Sequence, residues 1–155
     1  MKSERRSILK KISLTVLGFA GLRSVAIAKT TGVENRKEVS GVVMDQEVPL
    51  FSGSTKFGNL VFVAGKGAHY TGDIKAHTET VLQELEKELV KAGSSMKNVL
   101  KVSVFLNDIA DYDGMNAVYR GRFGDKPPVR TTVAVAKGGV PGNSLVEMDC
   151  IAFIS

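Results

Sequence analysis

The chain has 155 residues, 43% of them hydrophobic and none tryptophan, which suits a single domain with a substantial core. Its net charge of +5 is concentrated at the start: residues 1–28 hold six basic side chains and one acid, leaving fifteen of each sign afterwards (21 less 6, 16 less 1). A neutral body argues against a basic face for nucleic-acid backbones, and a single cysteine, Cys150, excludes an internal disulfide or a cysteine-built metal site.

The N-terminus places Lys2, Arg5, Arg6, Lys10 and Lys11 ahead of an apolar run, Ile12 to Leu22, followed by Ala26-Ile27-Ala28. That is the layout of an export signal with a small-residue cleavage site. Arg5-Arg6 followed by Ser7-Ile8-Leu9-Lys10 resembles the twin-arginine signal. The expectation is a signal peptide over residues 1–28, a periplasmic or secreted protein, and membrane contact only during export. The apolar run is shorter than the ~20 residues of a membrane span, which disfavours the alternative of an uncleaved anchor.

Residues 29–38 read as a flexible lead-in and residues 39–155 as one domain. Val39 to Met44 is expected to form a strand. Pro49 to Gly53 reads as a bend into a hairpin, Thr55–Phe57 and Leu60–Ala64, turning at Gly58-Asn59. Gly65 and Gly67 follow at once, where the backbone needs to pass close to something. The spacing of Val81, Leu82, Leu85 and Leu89 predicts a helix over 74–92, capped by Asp73 and stopped by Gly93. A strand is expected over Val99–Leu106, and a second helix over Tyr112–Phe123 capped by Asp111 and weakened by Gly114 and Gly121.

The last 29 residues, from Pro127, read as two strands joined by a Gly/Pro-rich loop. With period-two alternation, Thr131, Val133 and Val135 share one face of the first strand, and Arg130, Thr132 and Ala134 the other. In the second strand Val146, Met148, Cys150, Ala152 and Ile154 form an apolar face, which makes Cys150 a buried hydrophobe rather than a nucleophile. Glu147 and Asp149 begin the opposite face. Arg130, after the stiff Pro127-Pro128, offers a planar fork of donors suited to a carboxylate. From pattern alone, Arg130 and Glu147 read first as an ion pair at a strand end. Strand, hairpin, helix, strand, helix and two strands predict an α+β fold, a mixed sheet with two helices on one face.

Pro128-Val129-Arg130-Thr131 followed by Val146-Glu147-Met148 resembles the C-terminal signature of the RidA/YjgF (reactive-intermediate enamine/imine deaminase) family. Phe62-Val63-Ala64-Gly65 with Gly67, Ala92-Gly93-Ser94-Ser95, the strand ending at Asn107-Asp108, and Met115-Asn116-Ala117-Val118-Tyr119 agree in the same order, so that the resemblance spans Glu38 to Ile154. It implies a chorismate mutase-like homotrimer with pockets between subunits. It also implies cofactor-independent hydrolysis of 2-enamino or 2-imino acids to 2-oxo acids and ammonia. Arg130 would hold the substrate carboxylate and Glu147 would position water, with Phe51, Gly65, Asn116 and Thr131 about the pocket.

Phe51 stands where the family often has tyrosine. Ser52-Gly53-Ser54, Lys66 and Ala68-His69 also depart from the family pattern, which puts substrate range in question more than catalysis. A carboxylate-binding protein without turnover and a holdase-like chaperone are the alternatives. An endoribonuclease, an older label for the family, conflicts with the neutral body. His69 and His77 have no partners at metal-box spacing, so no metal site is expected.

Overall fold

The computed structural model describes residues 35–155. The expected signal peptide, and most of the lead-in, lie outside the described residues. The elements are β1 (Lys37–Asp45), β2 (Val48–Phe57), β3 (Leu60–Gly67), α1 (Ile74–Lys91), β4 (Val99–Leu106), α2 (Tyr112–Tyr119), β5 (Val129–Ala134) and β6 (Val146–Phe153). They build one six-stranded sheet in the order β1-β2-β3-β6-β4-β5. Only β4 and β5 run parallel, so the sheet is mixed as expected.

Helix α1 forms for the reasons its sequence states. Asp73 accepts a 2.8 Å hydrogen bond from the Ala76 N–H, satisfying one of the first-turn donors. Val81, Leu82, Leu85 and Leu89 are fully buried. Gly93, at φ +86°, closes the helix while the Ser94 N–H reaches back to the Leu89 carbonyl at 2.8 Å. The stripe packs on Val61 and Val63 of β3, Val102, Val104 and Leu106 of β4, and Val146, Met148, Cys150 and Ala152 of β6, all buried. Each Val, Leu or Met among them contributes about 1.5–3 kcal/mol by leaving water.

Two local expectations are corrected. Pro49 to Gly53 is strand rather than a bend: β2 runs through it, paired with β1 alone there, because β3 reaches only Ser54 to Phe57. Pro49 sits at a register irregularity opposite Met44, where a missing N–H is tolerated. Helix α2 stops at Tyr119, four residues early, with Gly121 at φ +79° just beyond. Asp111 makes no capping bond. Asp108 does so instead, accepting from the Ala110 N–H at 2.9 Å and opening a 3-10 turn over Ile109–Asp111 that leads into α2.

Both helices cover one face of the sheet, with Met115 of α2 fully buried in the same core. The other face carries Phe62, 41% exposed, Val133, 44% exposed, and the half-buried Phe105, Ile151 and Phe153. Nothing among the described residues covers it.

Candidate active site

Register decides where the two charged strand residues go. Arg130 pairs with Val102, which pairs with Cys150, so Arg130 lies on the helix face of the sheet. Glu147 pairs with Phe105 and Gly67, on the uncovered face. The two are separated by two strand spacings, about 10 Å, and by three residues along the strands, also about 10 Å. The ion pair read from the pattern does not form, and one small molecule cannot reach both residues of a single chain.

On the helix side, α2 builds a cradle for the arginine. Its Nη1 donates to Asn116 Oδ1 at 2.7 Å and its Nη2 to the Tyr112 hydroxyl at 3.2 Å. The guanidinium carbon lies 4.7 Å from the Tyr119 ring centre and 5.7 Å from that of Tyr112. Tyr112, Met115, Asn116 and Tyr119 are spaced as one helix face, the spacing that could have revealed the cradle in advance. Beside it is an open depression of about 600 Å³ lined by Asp113, Asn116, Ala117, Tyr119 and Arg120. Burial pushes the Tyr119 hydroxyl up to about 12, against the opposing pull of Arg130, and among the described residues that hydroxyl has no hydrogen-bond partner.

Arg122 provides a contrast. It grips Glu79 with two bonds, 3.0 and 2.8 Å, which hold that carboxyl below its usual range. Arg130 meets only neutral acceptors, and among the described residues no carboxylate lies within ion-pair distance of it. Its Nε–H has no partner there either. The half-buried fork is therefore aimed, rigid and without a counter-ion.

On the uncovered face Glu147 lies over the bare Cα of Gly65. A Cβ added at Gly65 would run into the Glu147 Oε1 and come within 2.8 Å of its carboxyl carbon. Gly65 is thus the gap that lets the carboxylate lie flat on β3. No cation pairs with Glu147 among the described residues.

The remaining expected site residues are dispersed. Asn116 orients Arg130. Thr131 pairs with Ser103 on the uncovered face, whereas Thr132 shares the arginine's face and has a buried hydroxyl without a partner among the described residues. Phe51 is 54% exposed on the β1–β2 hairpin, four strand positions from β5. Among the described residues no three His, Cys, Asp or Glu are grouped as a metal site requires.

Residues 46–154 match the family described as Endoribonuclease L-PSP. A RutC family protein of Pyrococcus abyssi is 38% identical over 110 residues, covering 66% of this chain and 85% of that one. The chain belongs to the RidA/YjgF family. Another relative, the 3-aminoacrylate deaminase RutC of Acinetobacter baylyi, is 34% identical over 108 residues, covering 65% of this chain and 84% of its own. A solved YjgF family member from Neisseria meningitidis has the same fold, with a TM-score of 0.69 at 23% identity over 78% of this chain and 97% of the other.

Two departures from the RidA/YjgF pattern turn away from Glu147. Lys66 pairs with Met148 in register and reaches the helix side, where its Nζ lies 3.6 Å from Glu88 Oε2. Ser54, buried, donates to the other oxygen of Glu88 at 3.1 Å. Together they tie β2, β3 and α1 together. His77 is also structural: its Nδ1 accepts from the Leu145 N–H at 3.0 Å, so Nε2 carries the proton and donates to the Tyr70 carbonyl at 2.9 Å.

Proposed function

We propose that this RidA/YjgF protein hydrolyses 2-enamino and 2-imino acids to 2-oxo acids and ammonia, at a site shared between two copies of the chain. The observation that carries this reading is the separation of two unsatisfied charges onto opposite faces. Among the described residues Arg130 is a positioned fork with no acid, and Glu147 is a positioned acid with no cation. Packing the β5 edge of one copy against the uncovered face of the next would unite them and bury Phe62, Phe105 and Val133 as well. A ring of three such heterologous contacts is the proposed assembly.

In this site Arg130 holds the substrate carboxylate through paired N–H donors, which fixes the adjacent imine carbon. Glu147 of the partner subunit accepts a proton from water as the oxygen attacks that carbon. The imine is already electrophilic, so the residues need supply only position and proton transfer. The name of the Acinetobacter relative, a 3-aminoacrylate deaminase, supports the same reaction class. With residues 1–28 as a twin-arginine signal, the proposed place of action is the periplasm.

The test is ammonia release from 2-aminoacrylate generated in situ. Arg130→Ala is expected to lose more than about 100-fold in kcat/KM with the fold retained, and Glu147→Gln to lower kcat more than it raises KM. Binding of a 2-oxo acid without any acceleration of ammonia release would favour a carboxylate sensor instead.

A further inference from the structure

We propose that His69 is a third functional group of this site, relaying the proton that lets the amine leave as ammonia; the role rests on the deaminase reading above. Gly65 and Gly67 are alternate residues of β3, and both open toward Glu147. Gly67 is its register partner, and the carboxylate lies on Gly65. A Cβ added at Gly67 would sit 3.2 Å from His69 Cε1 and 3.5 Å from Nε2. The carboxylate thus takes the place of a side chain missing at Gly65, while the imidazole, with Ser144 Cβ at 3.4 Å, closes on the place of the one missing at Gly67; the two glycines are two strand residues, about 6.6 Å, apart.

The ring is held from behind. Nδ1 lies 3.4 Å from the Gly142 carbonyl, which can only accept, so Nδ1 carries the proton and Nε2 keeps its lone pair. Gly142, at φ +67°, has no Cβ, and one there would strike Nδ1. The side chain is exposed, and no described residue bonds Nε2. Lys66, between the two glycines, is turned to the helix side and held by Glu88, and the carboxylate in register with Gly67, against which His69 lies, is Glu147.

The spacing matches the two ends of one tetrahedral adduct, a base on the added oxygen and a proton source on the nitrogen, each at hydrogen-bond distance. Water adds to the iminium carbon: the C–O bond forms, the C=N π pair moves to nitrogen, and Glu147 takes the water's proton. That proton reaches His69 Nε2 through one bridging solvent water and passes from there to the amine nitrogen. The C–N bond breaks with its pair on nitrogen, releasing ammonia. The hydroxyl proton returns to Glu147 as C=O forms, and passes to ammonia or solvent. The net change is iminium plus water to 2-oxo acid plus ammonium.

The experiment compares full-length wild type, His69→Gln, His69→Ala and Arg130→Ala on 2-iminopropanoate generated in situ. The expected result for both His69 variants is a loss of about 10- to 100-fold in kcat with KM within about twofold and Tm unchanged. Added imidazole restores turnover to His69→Ala. Wild-type kcat in both His69 variants, or a loss that imidazole does not rescue, overturns the relay while leaving the deaminase reading intact if Arg130→Ala is inactive. A wild-type chain that releases no ammonia overturns both.

Discussion

The guanidinium carbon of Arg130 lies 4.7 Å from the centre of the Tyr119 ring, whose own hydroxyl is buried without a partner among the described residues. The ring rather than the hydroxyl therefore supports the arginine. Tyr119→Phe is expected to keep activity and to gain about 1 kcal/mol by removing an unsatisfied polar group, whereas Tyr119→Ala lowers both Tm and substrate affinity. Thermal unfolding and KM check the pair.

The same hydroxyl contributes to alkaline behaviour. Burial raises Tyr119 from 10.0 to about 12 and the Cys150 thiol from 9.0 to about 12. For each, the folded chain keeps a proton that the unfolded chain loses, so stability is full below the unfolded value and falls as pH rises toward about 12. Urea unfolding across roughly pH 8 to 12, which spans both windows, is expected to show decreasing stability, and Tyr119→Phe and Cys150→Ala each flatten the slope. A pH-independent midpoint would contradict it.

Gly65 leaves room for Glu147, and the glycine's backbone is not in the left-handed region. Gly65→Ala is accordingly a steric test of the carboxylate's position. Ammonia release is expected to fall about 10- to 100-fold, as for a displaced acid–base group, with a smaller effect on Arg130-dependent binding. Unchanged turnover would mean that the carboxylate works from another rotamer.

Arg130 and Glu147 on opposite faces make complementation informative. Arg130→Ala and Glu147→Gln, each impaired alone, are unfolded together and refolded as mixed assemblies. Random mixing gives about a quarter of the sites an intact pair drawn from two chains, in a ring of any size. Recovery of about that fraction of activity is expected. No recovery in assemblies shown to be mixed would place the pair within one chain.

Much of the fold was legible in the residues. Asp73, the Val81-Leu82-Leu85-Leu89 stripe and Gly93 mark α1 to within a residue, because capping and periodicity are local physics. Val99–Leu106 was legible for the same reason. Helix α2 was overextended because Val118 and Phe123 continue the apolar pattern past a glycine at which the backbone turns left-handed. The Pro49–Gly53 stretch reads as a bend because proline and glycine signal turns, while pairing with β1 holds it extended.

The sequence by itself determined which residues share a face within β5 and β6, where each helix begins, and that Arg130 and Glu147 are the odd polar residues of those strands; in β3 an irregularity between Val63 and Lys66 shifts the faces. Only the tertiary structure decided that they face apart, that α2 supplies the arginine's cradle, and that His69 lies against Gly67, the register partner of Glu147. Alternation is a property of one strand, set by its own backbone. Which face of one strand aligns with which face of another depends on register and order in the sheet, and β4 stands between β5 and β6.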